Sequence, residues 1–311
     1  MVTRVINTDQ GFNEYHSGFD SQGGPWDDFD LTGSTWRIDY QGGTSSDYPF
    51  RVTNHNGSPV TILNGHFIGN IPDNLSWGQV YVNDDFNSAL MLLQIPDVIV
   101  DGATFNSEGD TDKGFIDGIR WQSQTGSFEA RNIKAYNGRD DFIELDGSTG
   151  TALIEDCEVW DTFGFISATE AGPSQLTVTI RNCLVSHKIP PYPYERNGAD
   201  FNQGETWKSD GNQAATFICE NVHVRTNPSW LGHGDYERHV SGLSNMTATN
   251  CAVYSIGGPL DTTAKTAYIN AGWTVYEDDG DTEATDAWAA TVANWNTPPA
   301  QPSMILDIMV L

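Results

Sequence analysis

The segment Val178-Thr179-Ile180-Arg181-Asn182-Cys183-Leu184-Val185 decides the fold. It joins two short stretches that are rich in β-branched and apolar residues, and an asparagine stands between them. Such stretches favour β-strands, and asparagine tolerates the left-handed backbone conformation that lets a strand bend without a loop. The segment therefore predicts two strands joined at a sharp bend.

The same pattern occurs seven times along the chain, each time around an asparagine or aspartate. The seven central residues are Asn64, Asp101, Asn132, Asp156, Asn182, Asn221 and Asn250. They are 37, 31, 24, 26, 39 and 29 residues apart. The shortest spacing is about one turn of a parallel β-helix, and the longer spacings indicate turns that carry loop insertions. The repeat therefore predicts a solenoid that grows by stacking coils.

This repeat resembles the right-handed parallel β-helix superfamily of pectate lyases, polygalacturonases and phage tailspikes, over roughly residues 55–270. The resemblance implies an all-β chain that forms a right-handed parallel β-helix solenoid. We expect an N-terminal cap over 1–54, the β-helix over 55–275, and a C-terminal cap with a linker-like tail over 276–311. Residues 282–295 have a helical pattern within that last segment.

Each coil is also expected to contribute a strand ahead of the repeated segment. Alternation within these strands predicts that Ile119 and Ile143 point inward, because successive side chains of a strand face opposite sides. Arg120, Glu144 and Ser167 then form one outward column, with about 4.8 Å between coils. The four cysteines, which lack metal-binding or redox spacing, fall on inward positions and are expected to be reduced core residues: Cys157, Cys183, Cys219 and Cys251.

Composition limits the possible partners. The 311 residues include 42 acidic and 15 basic side chains, which gives a formal net charge of −27. A surface this negative repels nucleic-acid phosphates and anionic lipids, so neither is an expected partner. No apolar run is long enough for a transmembrane helix, and residues 1–20 lack the pattern of a signal peptide. We expect an extracellular or phage-particle-associated protein, exported by another route or present here as a mature domain.

An acidic cluster is the most specific local feature. Asp140 lies 23 residues after Asp117, about one coil, and Asp141 and Glu144 follow it closely. These four carboxylates should meet at the edge of one strand face, where they would repel unless a cation lay among them. Oxygen ligands suit Ca²⁺. The alternative is that the acids cap turns and that Glu144 pairs with Arg120.

The stretches Asp117-Gly118-Ile119 and 137–144 are similar to the calcium site of the family 9 polysaccharide lyases. That family carries Asp-Gly-Phe on one coil and Asn-x-x-Asp-Asp-Gly-x-Asp on the next. The resemblance implies Ca²⁺ ligands at Asp117, Asp140, Asp141 and Glu144, with Glu144 replacing an aspartate. It also implies a proton-abstracting lysine on the next equivalent strand, where this chain has Ser167. The candidate bases are therefore Lys188 and Lys208, which we place in insertions, followed by His187 and Arg120.

Basic and aromatic residues indicate where a substrate would bind. Five of the 15 basic residues lie within 113–139 and six within 181–238, close to the acidic cluster, which favours an acidic sugar polymer. The longest gap between repeats, from Asn182 to Asn221, is rich in proline and aromatic residues, although it could equally be a packing loop. The predicted substrate-binding residues are Arg139, Tyr192, Tyr194, Arg196, Trp207, His233 and Arg238.

Three functions are compatible with these features. The first is a Ca²⁺-dependent polysaccharide lyase that cleaves a uronic-acid-containing polysaccharide by β-elimination. The second is a glycoside hydrolase on the same scaffold, with paired Asp and Glu residues as acid and base. The third is a tailspike or adhesin module that binds glycan without cleaving it. A monomer and a trimer are both compatible with the sequence.

Overall fold

A computed structural model describes residues 3–5, 10–11, 19–22, 28–33, 35–37, 50–53, 59–69, 71–72, 88–108, 113–115, 117–122, 124–169, 176–187, 195–196, 199–200, 206–209, 215–227 and 242–295. The strands and helices of these residues are numbered here in chain order. The strands are β1 (Thr3–Val5), β2 (Gln10–Gly11), β3 (Phe19–Gln22), β4 (Asp28–Asp30), β5 (Thr35–Arg37), β6 (Phe50–Thr53), β7 (Val60–Leu63), β8 (His66–Ile68), β9 (Ile71–Pro72), β10 (Ser88–Leu93), β11 (Asp97–Asp101), β12 (Thr104–Phe105), β13 (Lys113–Gly114), β14 (Asp117–Trp121), β15 (Thr125–Arg131), β16 (Lys134–Tyr136), β17 (Ile143–Glu144), β18 (Thr149–Glu155), β19 (Glu158–Thr162), β20 (Ile166–Ser167), β21 (Leu176–His187), β22 (Glu195–Arg196), β23 (Ala199–Asp200), β24 (Trp207–Lys208), β25 (Thr216–Thr226), β26 (Met246–Thr249), β27 (Ala252–Ser255) and β28 (Thr274–Glu277). The helices are α1 (Thr262–Ala271) and α2 (Glu283–Trp295).

The strands stack into columns in which each coil pairs in parallel with the next. Sheet 1 runs in the order β3, β6, β10, β14, β17, β20 and β24. Sheet 2 bends into two arms. The first arm runs through β1, β4, β7, β11, β15, β18, β21, β25 and β26, and the second through β2, β5, β8, β12, β16, β19, β21, β25, β27 and β28. This parallel pairing of successive coils is a parallel β-helix, as the repeat predicts.

The bends between the two arms lie at the predicted asparagine and aspartate residues, with one exception. Six of them have a positive φ between 49° and 58°: Asn64, Asn132, Asp156, Asn182, Asn221 and Asn250. In the second coil of the repeat the bend is at Gly102 (φ 74°), and Asp101 is a strand residue that pairs with Leu63 and Arg131. The alignment on Asp101 was therefore wrong by one residue, because glycine reaches the left-handed region without steric cost.

The core lies between the sheets and is built from the inward column of sheet 1 and the apolar positions of sheet 2. Leu90, Ile119, Ile143, Ile166 and Trp207 occupy one inward row on successive coils, and all are fully buried. The predicted inward positions are thus confirmed. The four cysteines are buried, free thiols.

The ends of the described solenoid differ. At the N-terminal end, strands of both sheets continue into residues 1–54, for which the sequence predicts a cap. β3 and β6 belong to sheet 1, and β4 and β5 belong to sheet 2. The domain boundaries stay a prediction. At the other end, α2 confirms the helical pattern and packs on the second arm, where the Trp288 ring lies 5.4 Å from Tyr254 and 6.1 Å from Trp160. Within the part of the chain that the structure describes, no helix is both long and apolar enough to span a bilayer.

Candidate functional site

Three aspartates meet at the corner where the second arm of sheet 2 passes into sheet 1. Asp117 begins β14, and Asp140 and Asp141 lie in the corner that precedes β17. The backbone N–H of Gly118 donates to the carbonyl of Asp141 at 3.2 Å, which aligns the two corners on neighbouring coils. One carboxylate oxygen from each aspartate lies within 4.8 Å of the other two. The one-coil spacing in the sequence therefore does bring three of the four predicted ligands together.

Glycines on the coils before and after Asp141 allow close packing at this corner. A Cβ atom on Gly164 would lie 2.3 Å from Oδ1 of Asp141, and one on Gly118 would lie 2.7 Å from the carbonyl oxygen of Phe142. Both distances are shorter than real Cβ contacts, so neither position accepts a side chain without a shift. The Asp141 carboxylate therefore occupies the space that a side chain at position 164 would fill.

Glu144, the fourth predicted ligand, lies outside the group of three. It stands opposite Arg120 in the ladder, and its Oε2 is 3.1 Å from Arg120 Nε. The carboxyl groups of Glu144 and Asp117 are also close enough to interact, and the charge of Glu144 raises the pKa of Asp117. The ion pair that the sequence offered as the alternative to metal binding is therefore present at Glu144, while the three aspartates remain grouped beside it.

Burial shapes the electrostatics of the cluster. It raises the pKa of Asp117 well above its ordinary value, and the charges of Glu144 and Asp140 act in the same direction. Burial also raises the pKa of Asp141 to about 7, against the opposing effect of the Lys208 ammonium. The pKa of Glu144 is raised by burial despite its pairing with Arg120. Buried carboxylates in this number fit a hard cation such as Ca²⁺, since a bound cation would stabilise their ionised forms.

Lys208 belongs to the same outward column as Glu144. β24 pairs with β20 so that Lys208 stands opposite Ser167, and the column reads Arg120, Glu144, Ser167 and Lys208. Its Nζ lies 3.1 Å from Oδ2 of Asp141. The prediction that Lys208 lies in an insertion is wrong, because the insertion ends before β24 and Lys208 stands in the ladder opposite Ser167.

Asp146 is a further acidic residue near the cluster, and the sequence pattern did not predict it. It accepts hydrogen bonds from Ser167 Oγ at 2.6 Å and from the backbone N–H of Thr169 at 2.8 Å. Its charge contributes to the raised pKa values of Asp141 and Glu144. Strand alternation offered a signal, because Asp146 follows Glu144 by two positions and so faces the same side.

Other predicted site residues are buried in the fold. Trp207 is fully buried, and its ring packs 5.6 Å from both Phe165 and Trp273, which corrects its assignment to sugar stacking. His187 is buried as well, with Nε2 2.8 Å from Thr206 Oγ1, so its ring is not exposed to a polymer as the predicted base would be.

Arg139 is completely buried in the corner next to Asp140, away from the surface on which it was predicted to meet substrate. Arg120 remains partly accessible on the outward column. Lys188, Tyr192, Tyr194, His233 and Arg238 lie outside the described residues. For Arg196 only the backbone, in β22, is described.

Comparisons with known proteins add one similarity. No protein-family model matches the chain, and no curated protein matches its sequence. Among solved structures, the chain is similar to one described as "Crystal structure of pectate lyase Pel9A", with a TM-score of 0.39 and 12% sequence identity. The match covers 76% of this chain and 64% of the other, so it spans less than two thirds of that protein's length. The parallel β-helix described above rests on this chain's own strand pairing.

Proposed function

We propose that this chain is a Ca²⁺-dependent lyase that cleaves a uronic-acid-containing polysaccharide by β-elimination. One observation carries the proposal: Nζ of Lys208 lies 3.1 Å from Oδ2 of Asp141, inside a group of three clustered aspartates. β-Elimination from a uronate needs a cation beside the substrate carboxylate and a base beside the C5 proton. The three corner aspartates and Lys208, in the adjoining outward column of sheet 1, are candidates for these two roles within one site.

Asp117, Asp140 and Asp141 would hold the ion, because their carboxylate oxygens are grouped and Ca²⁺ prefers oxygen ligands. When bound, Ca²⁺ neutralises the uronate carboxylate and favours the negative charge that develops as the C5 proton leaves. Arg120 is kept in place by Glu144 and by its Nε donating to Gln122 Oε1 at 2.9 Å. From the same face, its guanidinium can orient a substrate carboxylate.

Lys208 is the proposed base in place of the lysine that the family pattern put at position 167. Its neutral Nζ takes the proton from C5, the electron pair of that C–H bond becomes the C4=C5 double bond, and the C4–O bond breaks. The departing oxygen takes a proton from solvent. A lysine can do this only when it is unprotonated, so its ion pair with Asp141 must open before the reaction.

Glycoside hydrolysis fits the same residues less well. Hydrolases place their two carboxyl groups about 5–10 Å apart, on either side of the bond that they cleave. One carboxylate oxygen from each of the three aspartates instead lies within 4.8 Å of the other two, closer than the carboxyl pair of an inverting hydrolase. This separation favours a cation site over an acid–base pair.

The test combines product analysis with metal removal. Polygalacturonate, alginate and a glucuronate-containing polymer are incubated with the protein in Ca²⁺ or in chelator. An unsaturated product that absorbs in the ultraviolet and requires Ca²⁺ supports the lyase. Saturated ends that form equally in chelator indicate a hydrolase, and retention of the polymer without cleavage indicates a binding module.

Calorimetry of Ca²⁺ binding to the wild type and to Asp140→Ala checks the metal site, and absence of binding to the wild type contradicts it. Such polymers occur outside the cell, where we expect this chain to act, free or on a phage particle.

A further inference from the structure

A cavity of about 320 Å³ opens on the outer side of the second arm of sheet 2, outside the acidic cluster. It is lined by Glu108, Lys134, Tyr136, Glu158, Trp160, Asp161 and Val292. Tyr136 and Trp160 stand opposite each other on neighbouring coils, and Val292 comes from α2. Tyr136 lies four positions before Asp140, so their Cα atoms are at most about 14 Å apart. The cavity therefore lies near the corner that bears the aspartates, and it is a separate site because none of the three aspartates lines it.

The aromatic side of the cavity is held in place by its neighbours. The Trp160 ring meets that of Trp288 at 6.1 Å in an edge-to-face arrangement, which limits its movement. Trp160 Nε1 donates to Glu158 Oε2 at 3.4 Å. Tyr136 and Trp160 are both half-buried, so each ring keeps an accessible part. The two rings therefore present an apolar surface that is already ordered.

The polar groups of the cavity include both donors and acceptors. Lys134 Nζ lies 3.0 Å from Glu158 Oε1, and the lysine side chain is about half exposed. Burial raises the pKa of Tyr136, so its hydroxyl stays protonated and can donate at neutral pH. The carboxylates of Glu108 and Asp161 add acceptors at exposed positions. A ligand with many hydroxyl groups can use such a mixture, because each hydroxyl both donates and accepts.

We propose that this cavity is a second carbohydrate-binding site, which accepts an uncharged sugar residue. Three carboxylates against one ammonium disfavour an anionic uronate. A simple amine is disfavoured because Lys134 already supplies the cation beside Glu158. The volume is near the lower end of the range for ligand pockets, about 300–1,000 Å³, which suits a single ring. The inference goes beyond the proposed cleavage and does not require it.

Binding to the full-length chain in chelator tests the inference without the cation site. The neutral probes are cellotetraose, xylotetraose and galactotetraose, with tetragalacturonate and spermidine as charged probes, all measured by calorimetry. We expect at least one neutral probe to bind more tightly than either charged one. Tyr136→Ala should weaken that binding about tenfold, whereas Tyr136→Phe, which keeps the ring and loses only the hydroxyl donor, should weaken it less, by about threefold.

Matched variants test whether the neutral sugar binds in this cavity. Glu108→Gln, at an exposed position, should weaken neutral-sugar binding severalfold, while Glu220→Gln on the exposed outer side of the first arm should leave it unchanged. Thermal unfolding checks that each variant folds. Binding of spermidine or tetragalacturonate alone, no binding of any neutral probe, or full binding by folded Tyr136→Ala overturns the inference. Asp140→Ala should retain neutral-sugar binding, so failure of the lyase proposal is distinguished from failure of this one.

Discussion

Replacing Lys208 with methionine separates the roles of that lysine. Methionine keeps much of the length of the side chain and removes the ammonium that lies 3.1 Å from Asp141 Oδ2. A positioned general base contributes about 10²–10⁴-fold to a rate, so Lys208→Met should lower kcat by at least about 100-fold. Lyase activity on the cleaved polymer is the measurement.

The effect on stability follows from the burial of the pair. The Asp141 side chain is 4% exposed and that of Lys208 is 23% exposed. Breaking a fully buried ion pair costs about 3–5 kcal/mol. Asp141 can limit that cost by taking up a proton, since its pKa is already raised to about 7. We therefore expect a loss of about 1–3 kcal/mol in the free energy of unfolding at neutral pH.

Calcium should raise the free energy of unfolding of Lys208→Met more than that of the wild type. In the wild type an ion at Asp141 must displace the Lys208 ammonium, whereas in Lys208→Met it meets an uncompensated carboxylate. Ca²⁺ should therefore stabilise the variant more than the wild type, as measured by urea denaturation with and without the ion. Lys265→Met is the control, because it opens an exposed lysine pair with Glu277 far along the chain and should leave activity unchanged. Retention of a tenth of the activity by Lys208→Met, or no effect of Ca²⁺ on either protein, refutes the reasoning.

Three further predictions concern the cluster and the ladder. The calcium-free protein should lose stability as pH rises from about 4 to 8, because burial raises the pKa of Asp141 from 3.8 to about 7 and the folded state keeps a proton that the unfolded state has released. For Asp141 this difference corresponds to at most about 4 kcal/mol. In urea denaturation Asp141→Asn should make the profile shallower but not flat, because the pKa values of Asp117 and Glu144 are also raised; an unchanged slope contradicts the prediction. Gly164→Ala should weaken Ca²⁺ binding at least about tenfold in calorimetry, because the added Cβ would overlap the Asp141 carboxylate. The circular dichroism spectrum should stay unchanged, and Ca²⁺ affinity equal to that of the wild type would argue against the site. Asn182→Ala should lower the free energy of unfolding by about 1–2 kcal/mol in thermal unfolding, because Asn182 has φ 49° and donates to Asp156 at 3.1 Å. Asn182→Gly should cost less, since glycine accepts this backbone conformation. Equal losses in the two variants would exclude backbone strain as the cause.

The sequence predicted the scaffold well because the scaffold repeats. Asparagines at the bends are locally recognisable, and Asn221 Nδ2 even donates to Asn182 Oδ1 on the preceding coil at 3.1 Å. The shift at Gly102 arose because an aspartate precedes a glycine, and either residue type tolerates a bend. Trp207 was misassigned for a different reason. A two-residue strand that follows a long insertion has too few neighbours for alternation to be visible, so its inward direction is decided by pairing with β20.

The same pairing explains how the site is completed across a long insertion. Lys208 follows Ser167 by 41 residues, yet the two stand opposite each other on neighbouring strands. Loop-closure entropy grows only slowly with loop length, so the coil can carry an insertion and still return in register. Lys208 then lies two rows beyond Glu144, about 10 Å at the usual strand spacing, and its long side chain extends back to Asp141. Ser167 occupies the row between them with a short side chain whose Oγ donates to Asp146. A serine at this position, which the motif alone marks as a missing base, therefore leaves room for a lysine from the following strand to reach the acidic cluster.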